Sequence, residues 1–351
     1  MLRIERNSTR NVLITGGAGF MGAHLAAHFL ANTDARITLF DDLADPGAAQ
    51  NLAWLSGQAG AGRLKMVHGE LRNASRLAQA ASSAGEVYHL AHDDGRREYF
   101  STSEGLSAES TLKALEAARH SGRNPVMVCA STGNEFGSTS EGAGPIEAHA
   151  PNVSSRDCMR LCPSSSVDRL VQDFAKLHHL PAVALHIDTV TGPRQFGEAQ
   201  DWVARAAYAI LSGCPCSLPG DPSQTHDVLH VSDAVQAILA ARAYIGKTAG
   251  KKYGVSGGPA RWITVEQMIH LIERICHRRA RIDGPATSRE DAPQPVAEDN
   301  SFLTDTCWRA RRNLEETVRD IATFWHANQQ LIANPPRIQR VPVRPSRARA
   351  A

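Results

Sequence analysis

The chain has 351 residues, 42% of them hydrophobic, with 38 lysines and arginines against 36 aspartates and glutamates and a net charge of +2. That length suits one large or two modest domains, and so much apolar surface with so little net charge can offset the ordering entropy that leaves polar chains disordered. No stretch approaches the ~20 uninterrupted apolar residues a bilayer requires. The opening MLRIERNSTR lacks the apolar core of a secretory signal, so a cytoplasmic protein without membrane association is expected.

Short, β-rich apolar runs punctuate the first half: NVLIT at 11–15, ITLF at 37–40, LKMVH at 64–68, EVYHLA at 86–91, VMVCAS at 126–131 and AVALHI at 182–187. Continuous rather than alternating runs predict strands covered on both faces, and the stretches between them are long enough for crossover helices. A doubly wound parallel α/β sheet of Rossmann-like type follows. Leu25, Phe29 and Leu30 form one helical stripe after the first strand, and Leu106, Leu112, Leu115 and Ala118 recur near helical spacing before the fifth.

The first strand runs into Thr15-Gly16-Gly17-Ala18-Gly19-Phe20-Met21-Gly22, which spaces Gly16, Gly19 and Gly22 three apart at a strand-to-helix turn. The first glycine permits the turn, the second lets backbone approach a pyrophosphate at the helix N-terminus, and the third lets helix and strand pack closely. Asp41, Asp42 and Leu43 follow the second strand. A carboxylate about 20 residues past the glycines is where an adenosine ribose needs an acceptor. Asp41, Asp42 and Asp45 would also repel a 2′-phosphate, and no Arg or Lys follows immediately, so NAD is expected rather than NADP. Glu70 and Leu71, after the third strand, are candidates for the adenine edge, with a solvated strand-end Glu as the alternative. Leu90, Ala91 and His92 would pass beneath the pyrophosphate and ribose, with Ser131 ending the fifth strand.

Seven cysteines, at 129, 158, 162, 214, 216, 276 and 307, show no C-x-x-C pair and read as reduced thiols, and the fifteen histidines form no H-E-x-x-H cluster, so no metal is expected. The last stretch, NPPRIQRVPVRPSRARAA, carries Arg337, Arg340, Arg344, Arg347 and Arg349 without an acid, leaving the rest of the chain near −3. Its prolines forbid a regular helix. A basic Pro/Arg-rich disordered tail over 333–351 is expected, with an arm for an anionic partner as the alternative; a nucleic-acid protein should show more than this.

By this point the residues resemble the extended short-chain dehydrogenase/reductases of the NAD-dependent epimerase/dehydratase family. Their G-x-x-G-x-x-G turn is matched by Gly16, Gly19 and Gly22. FDDLADPGAAQNLAWL at 40–55, GRLKMVHGELRN at 62–73, LEAARHSG at 115–122, CASTGNEFG at 129–137, TGPRQFGEAQDWVARA at 191–206 and DVLHVSDAVQAILAA at 227–241 resemble the branch of CDP-paratose 2-epimerases, also called CDP-tyvelose epimerases. The resemblance implies an NAD-binding domain over 10–190, to which a strand near 252–258 returns, and a smaller, mainly substrate-binding domain over 191–332. It also implies a nucleotide-sugar substrate, a CDP-sugar by that branch, and a homodimer paired through helices near 104–120 and 165–178.

The chemistry implied is an internal redox cycle. A Tyr held by a Lys takes a sugar hydroxyl proton, the carbon gives hydride to NAD, and the ketone is reduced again on the other face, while a Ser or Thr orients the sugar. Thr132 matches that orienting hydroxyl. Counting back from Leu180-Pro181 through the helix at 167–179, however, puts Arg160 at the Tyr position and Ser164 at the Lys position; Asp168 matches the branch. Arg holds its proton at any working pH and Ser has no charge to depress a neighbour's pKa, so neither replaces the pair. The only tyrosines are Tyr88, Tyr99, Tyr208, Tyr244 and Tyr253. None lies between the fifth and sixth strands.

Other positions shift the same way. His186 stands where an Arg usually follows the sixth strand, His226 where an Arg would grip the diphosphate, and Gly254 where an Asn is usual. Arg194 and Arg289 are left as candidate phosphate contacts, a solvated surface Arg being the alternative for each. His92 and His149 are candidate acid–base groups by type. Two functions therefore compete: an NAD-dependent nucleotide-sugar epimerase or related isomerase with a degenerate active site, and a non-catalytic NAD or nucleotide-sugar binding homologue acting as sensor, scaffold or partner of an active paralogue.

Overall fold

The six apolar runs form β1 (Asn11–Thr15), β2 (Arg36–Asp41), β3 (Leu64–His68), β4 (Glu86–His89), β5 (Val126–Thr132) and β6 (Ala182–Ile187). A computed structural model describes residues 10–45, 47–91, 108–132, 163–187, 189–196, 202–216, 221–282 and 300–333. Within these, α1 (Phe20–Asn32), α2 (Ala48–Ser56), α3 (Ala74–Ala81), α4 (Ala108–His120) and α5 (Pro163–His178) alternate with the strands. After β6 come β7 (Thr189–Thr191), α6 (Trp202–Ser212), β8 (Pro215–Cys216), β9 (Thr225–His230), α7 (Val231–Ala243), α8 (Ile245–Thr248) and β10 (Lys252–Val255). The chain continues through β11 (Trp262–Thr264), α9 (Val265–Cys276), β12 (Arg281–Ile282), α10 (Asn300–Thr306), α11 (Leu314–Ala327) and α12 (Gln329–Ala333).

Seven strands join in the order β10-β6-β5-β4-β1-β2-β3, every neighbouring pair parallel. This is the Rossmann-like doubly wound sheet, and its strand order reverses between β1 and β4, where such sheets open a crevice at their carboxyl ends. Successive residues of one strand serve opposite faces. Val12 and Ile14 pack with Leu25 and Phe29 of α1 and Ala234 and Ile238 of α7, whereas Leu13 packs with Leu77 of α3, Leu115 of α4 and Val171 of α5. Both faces are thus dry, the condition that made the runs continuous.

A three-stranded sheet, β11-β9-β7, and the helices α6, α9 and α11 enclose a second core around Phe196, Ile210, Met268 and Trp325. The chain does not stay with that unit once it has entered it. Ala234, Val235 and Ile238 of α7, Tyr253 and Val255 of β10, and Phe302 of α10 all belong to the first core. No described helix is long and apolar enough to cross a membrane.

One expected stripe differs in detail. Leu115 and Ala118 are buried on α4, but Leu112 is 36% exposed. The face that α4 turns inward is Thr111, Ala114, Leu115 and Ala118, the i, i+3, i+4, i+7 set that excludes position 112. Leu106 lies outside the described residues, as does the basic tail.

At the amino end of the sheet, Glu86 is buried among cations. Its Oε1 accepts from Arg10 Nε at 2.8 Å, from a terminal nitrogen of Arg10, and from Arg242 at 2.5 Å, while Oε2 accepts from the buried Tyr88 hydroxyl at 2.8 Å. The cluster ties β4 to α7 and to the residue that precedes β1. Replacing Glu86 with Ala leaves two guanidinium groups without their carboxylate, and urea denaturation should show a loss of about 3 kcal/mol; an unchanged midpoint would mean the cluster is solvated and structurally idle.

Candidate functional site

The glycine turn meets its constraints one residue at a time. Gly16 has φ +67°, and a Cβ there would lie 2.7 Å from Ala91 Cα, because the Leu90–Ala91 backbone passes directly beneath and donates Leu90 N–H to Thr15 O at 3.2 Å. Gly22 sits in the first turn of α1, where a Cβ would stand 2.8 Å from Gly17 Cα and overlap the Gly16 carbonyl. Only glycine lets α1 start this close to β1. Gly17, not singled out from the sequence, is crowded too, with Leu39 Cδ2 at 2.8 Å from a Cβ.

Gly19 is different. A Cβ there would meet nothing but Gly16 O at 3.2 Å, and as N-cap of α1 it carries no side-chain cap. The open space where its side chain would be leaves a backbone cradle beside the first-turn N–H groups of Phe20, Met21 and Gly22, with no acid in that turn to compete. A pyrophosphate fits such a cradle.

The tip of the turn is held from two sides. Ala18 N–H donates to Asp41 Oδ2 at 3.0 Å, and Ala18 O accepts from Asn51 Nδ2 of α2 at 3.2 Å. Asp41 also accepts Leu43 N–H at 2.8 Å and is 9% exposed; burial pushes its carboxyl above the ordinary range, against the pull of these hydrogen bonds. The sequence assigned Asp41 to the ribose alone. It is a strut as well, with acceptor capacity left over, since a carboxylate offers about four lone-pair sites. Asp42 caps Ala44 N–H at 3.0 Å and stays exposed, and Asp45 caps Gly47 N–H at 2.6 Å. Leu43 takes φ +57° to make this loop. Glu70 is exposed at the strand end and Leu71 is half-buried, with Gly69 N–H bonded to Asp41 O at 2.9 Å. Asn51 carried no motif; a long-range helix-to-loop bond leaves no local sequence signal.

At the far side of the crevice, Ser131 pairs with His186 and Thr132 with Ile187 across β5 and β6. Ser164 falls in the first turn of α5, four residues before Asp168 and so on the same helix face. The side chains of Ser131, Thr132 and Ser164 lie outside what is described, as do Arg160, His92, His149 and Arg289 entirely. Asp168 is buried. Its Oδ1 is 2.5 Å from His186 Nε2 and its Oδ2 is 3.4 Å from Lys252 Nζ, a bridge that fixes α5 against β6 and β10. Nearby, burial pushes the Cys129 thiol up to about 12, so it is no nucleophile at neutral pH.

Arg194 is committed to aromatic rings. With φ +69°, its guanidinium lies 4.2 Å from the Trp54 ring centroid and 5.3 Å from that of Phe324, bridging α2 and α11. Around it, Pro193 O is 2.9 Å from His24 Nε2, and Phe196 fills the space a side chain at Gly47 would need. Residues 192–196 thereby strap the second unit to α1 and α2. The strap was illegible from sequence because its partners are distant along the chain.

His226, on β9, is 7% exposed with its ring centroid 5.0 Å from Trp202, and burial pushes it down to about 4; the same cause holds His24 at about 4. Both rings are neutral at physiological pH. Among the described residues no group of His, Cys, Asp and Glu could hold a metal, and the cysteines at 129, 214, 276 and 307 are free thiols. Because the folded pKa values lie below the unfolded value of about 6.5, the unfolded chain binds the extra protons, and stability should fall as pH drops from about 6.5 to about 4. His226→Phe should flatten part of that slope in thermal melts across this window; an equal slope in the variant would mean the ring is not buried neutral.

A family model described as the NAD dependent epimerase/dehydratase family matches residues 12–255. Among curated proteins, the CDP-paratose 2-epimerase of Salmonella typhi is 24% identical over 343 residues, covering 88% of this chain and 97% of that protein. A dTDP-glucose 4,6-dehydratase of an Actinoplanes species is 24% identical, covering 91% of this chain and 98% of its own length. Among solved structures, UDP-glucuronic acid 4-epimerase from Bacillus cereus, in complex with UDP-glucuronic acid and NAD, superposes with a TM-score of 0.75 at 21% identity, covering 90% of this chain and 99% of that one. With the match spanning both the glycine turn and the returning strand β10, the chain belongs to the NAD dependent epimerase/dehydratase family.

Proposed function

We propose that this chain is a cytoplasmic, NAD-binding relative of the nucleotide-sugar epimerases and dehydratases whose catalytic pair has been replaced, so that its chemistry is divergent or impaired. The observation that carries the reading is the glycine corner: a Gly16 with no room for a side chain, an open Gly19, and a tip held by Asp41 and Asn51. Gly16, Gly19, Phe20, Met21 and Gly22 would hold the pyrophosphate, Asp41, Asp42 and Leu43 the adenosine ribose, and Glu70 and Leu71 the adenine edge. Leu90, Ala91, His92 and Ser131 would floor the nicotinamide half. When bound, NAD supplies a hydride acceptor. Thr132 would orient a sugar hydroxyl, and the full-length similarity to a CDP-paratose 2-epimerase supports a CDP-sugar as substrate.

Proton abstraction is the missing part. With Arg160 and Ser164 in the positions of Tyr and Lys, no group there accepts a proton at neutral pH, which forfeits about 10²-fold or more in rate. The same replacements favour the second reading, a non-catalytic sensor, scaffold or partner that keeps only the binding sites, and the uncharged His226 weakens any diphosphate grip in that direction too. Arg194, already stacked on Trp54, would have to leave its rings to meet a phosphate.

A homodimer through α4 and α5 is part of the proposal. The two helices pack against each other, and Leu112 and Leu177 stay exposed on them, Leu177 to 72%. Leu177→Glu should convert a dimer to a monomer in light scattering; a wild-type monomer contradicts this part of the reading. For the chemistry, Arg160→Tyr with Ser164→Lys should raise reduction of the nicotinamide by a nucleotide sugar about 10²-fold. A folded double variant with an unchanged rate overturns the assignment of those two positions.

A further inference from the structure

The second unit carries surface charge that the proposed function does not use. From the last turn of α9 into β12 the chain reads Arg274-Ile275-Cys276-His277-Arg278-Arg279-Ala280-Arg281-Ile282. Arg274, His277, Arg278, Arg279 and Arg281 are all exposed, Arg279 to 87% of its side chain.

Part of this charge has a structural duty. Arg278 donates to Leu211 O and Arg281 reaches Gly213 O at 3.5 Å, so both cap the carboxyl end of α6. A carbonyl carries no net charge and a guanidinium has five donors, which leaves both cations uncancelled with donors to spare. Carboxylates are short here. Arg279 shares Glu273 with Ala280 N–H, and Arg274 shares Glu315 with Arg319, so these five arginines have two carboxylates as ion-pair partners among the described residues. The cationic edge at Lys251 and Lys252 differs, since each lysine there meets an aspartate, Asp305 or Asp168.

One large apolar side chain stands among these charges. Ile282 is 54% exposed, although it pairs across β8 and β12 with the buried Cys216. Besides Leu112 and Leu177, which the proposed dimer covers, it is the one large hydrophobic residue left exposed among the described residues. The basic stretch 334–351 follows α12, which lies against α6: Tyr208 hydroxyl donates to Ile332 O at 3.2 Å, about one helical turn from Leu211. Its arginines too are interleaved with aliphatic residues, Ile338, Val341 and Val343.

The chemistry selects among polyanions. Guanidinium forks suit phosphate oxygens. A nucleic acid would supply phosphates but leave Ile282 in water, and neither 274–282 nor 334–351 contains an aromatic ring on which a base could stack. An anionic lipid surface takes both kinds of group, with phosphates for the arginines and an acyl boundary for the isoleucine.

We propose that this face of the second unit docks on an anionic lipid bilayer, with Arg278, Arg279 and Arg281 on headgroup phosphates and Ile282 at the acyl boundary. The expectation of no membrane association rested on the lack of a span, and attachment at the surface needs none. No residue of the glycine corner takes part, so the inference stands or falls independently of NAD binding.

Flotation of the full chain with phosphatidylcholine vesicles, prepared with and without phosphatidylglycerol, tests it. Binding is expected only where phosphatidylglycerol is present, and it should weaken as salt is raised. Arg278→Gln, Arg279→Gln and Arg281→Gln together should weaken it roughly a hundredfold, about fivefold per charge. Ile282→Ser should weaken it about fivefold. If the triple variant loses its fold, Arg279→Gln alone, on a side chain 87% exposed, should still show its fivefold share. A folded triple variant that binds like the wild type overturns the proposal, because the stretch 334–351 then suffices. Tighter binding to duplex DNA than to the anionic vesicles at equal phosphate concentration, with Ile282→Ser without effect on either, also overturns it and makes the partner a nucleic acid. Binding to neither kind of vesicle overturns it too, leaving an acidic protein as the partner this charge would fit.

Discussion

The close approach of α1 to the end of β1 is the constraint on which the rest of the molecule depends. Helix and strand meet where Gly22 abuts Gly17 and Gly16, and the turn between them bends over the Leu90–Ala91 backbone with no room for a side chain at Gly16. The geometry leaves the first-turn N–H groups of α1 pointing across the β1/β4 switch point, where a parallel sheet opens at its carboxyl ends. Everything else at this corner holds the turn in place. Asp41 and Asn51 grip Ala18 from β2 and α2, and Asp42 and Asp45 close the loop that carries α2 into position.

From that corner the architecture extends in two directions. At the end of β2 the residues form a hydrogen-bonded loop that carries three carboxylates, Asp41, Asp42 and Asp45, an arrangement hostile to an added phosphate. At the other end of the crevice the described groups are uncharged or already engaged: a neutral buried His226, an Arg194 stacked between rings, and a His186 bound to Asp168. The Asp168 bridge to β6 and β10 nevertheless keeps α5 seated.

Much of the fold was legible because a parallel strand covered on both faces favours apolar residues at successive positions, as β1 and β6 show, while the half-buried edge strand β3 still reads as a short apolar run. The glycine triplet was legible because its spacing is set by the close packing itself. Leu112 misled, since hydrophobicity near helical spacing does not say which side of a narrow stripe a residue falls on. The grip of Asn51 on Ala18, the second duty of Asp41 and the strap at 192–196 could not be read. Each is a contact between segments far apart in sequence, and polar or aromatic partners at such range leave no period or motif. The return of α7, β10 and Phe302 to the first core follows the same rule in part: the family resemblance implied a strand near 252–258, whereas the docking of α7 needed the tertiary structure.

The central claim of the proposed function is that the glycine corner works as a dinucleotide site. Denaturing the purified protein and identifying the released small molecules by mass spectrometry tests it most directly, because unfolding releases whatever the corner holds. The account predicts NAD or NADH in amounts comparable to the chain. Release of neither, together with no calorimetric binding of added NAD to the folded protein, would contradict it.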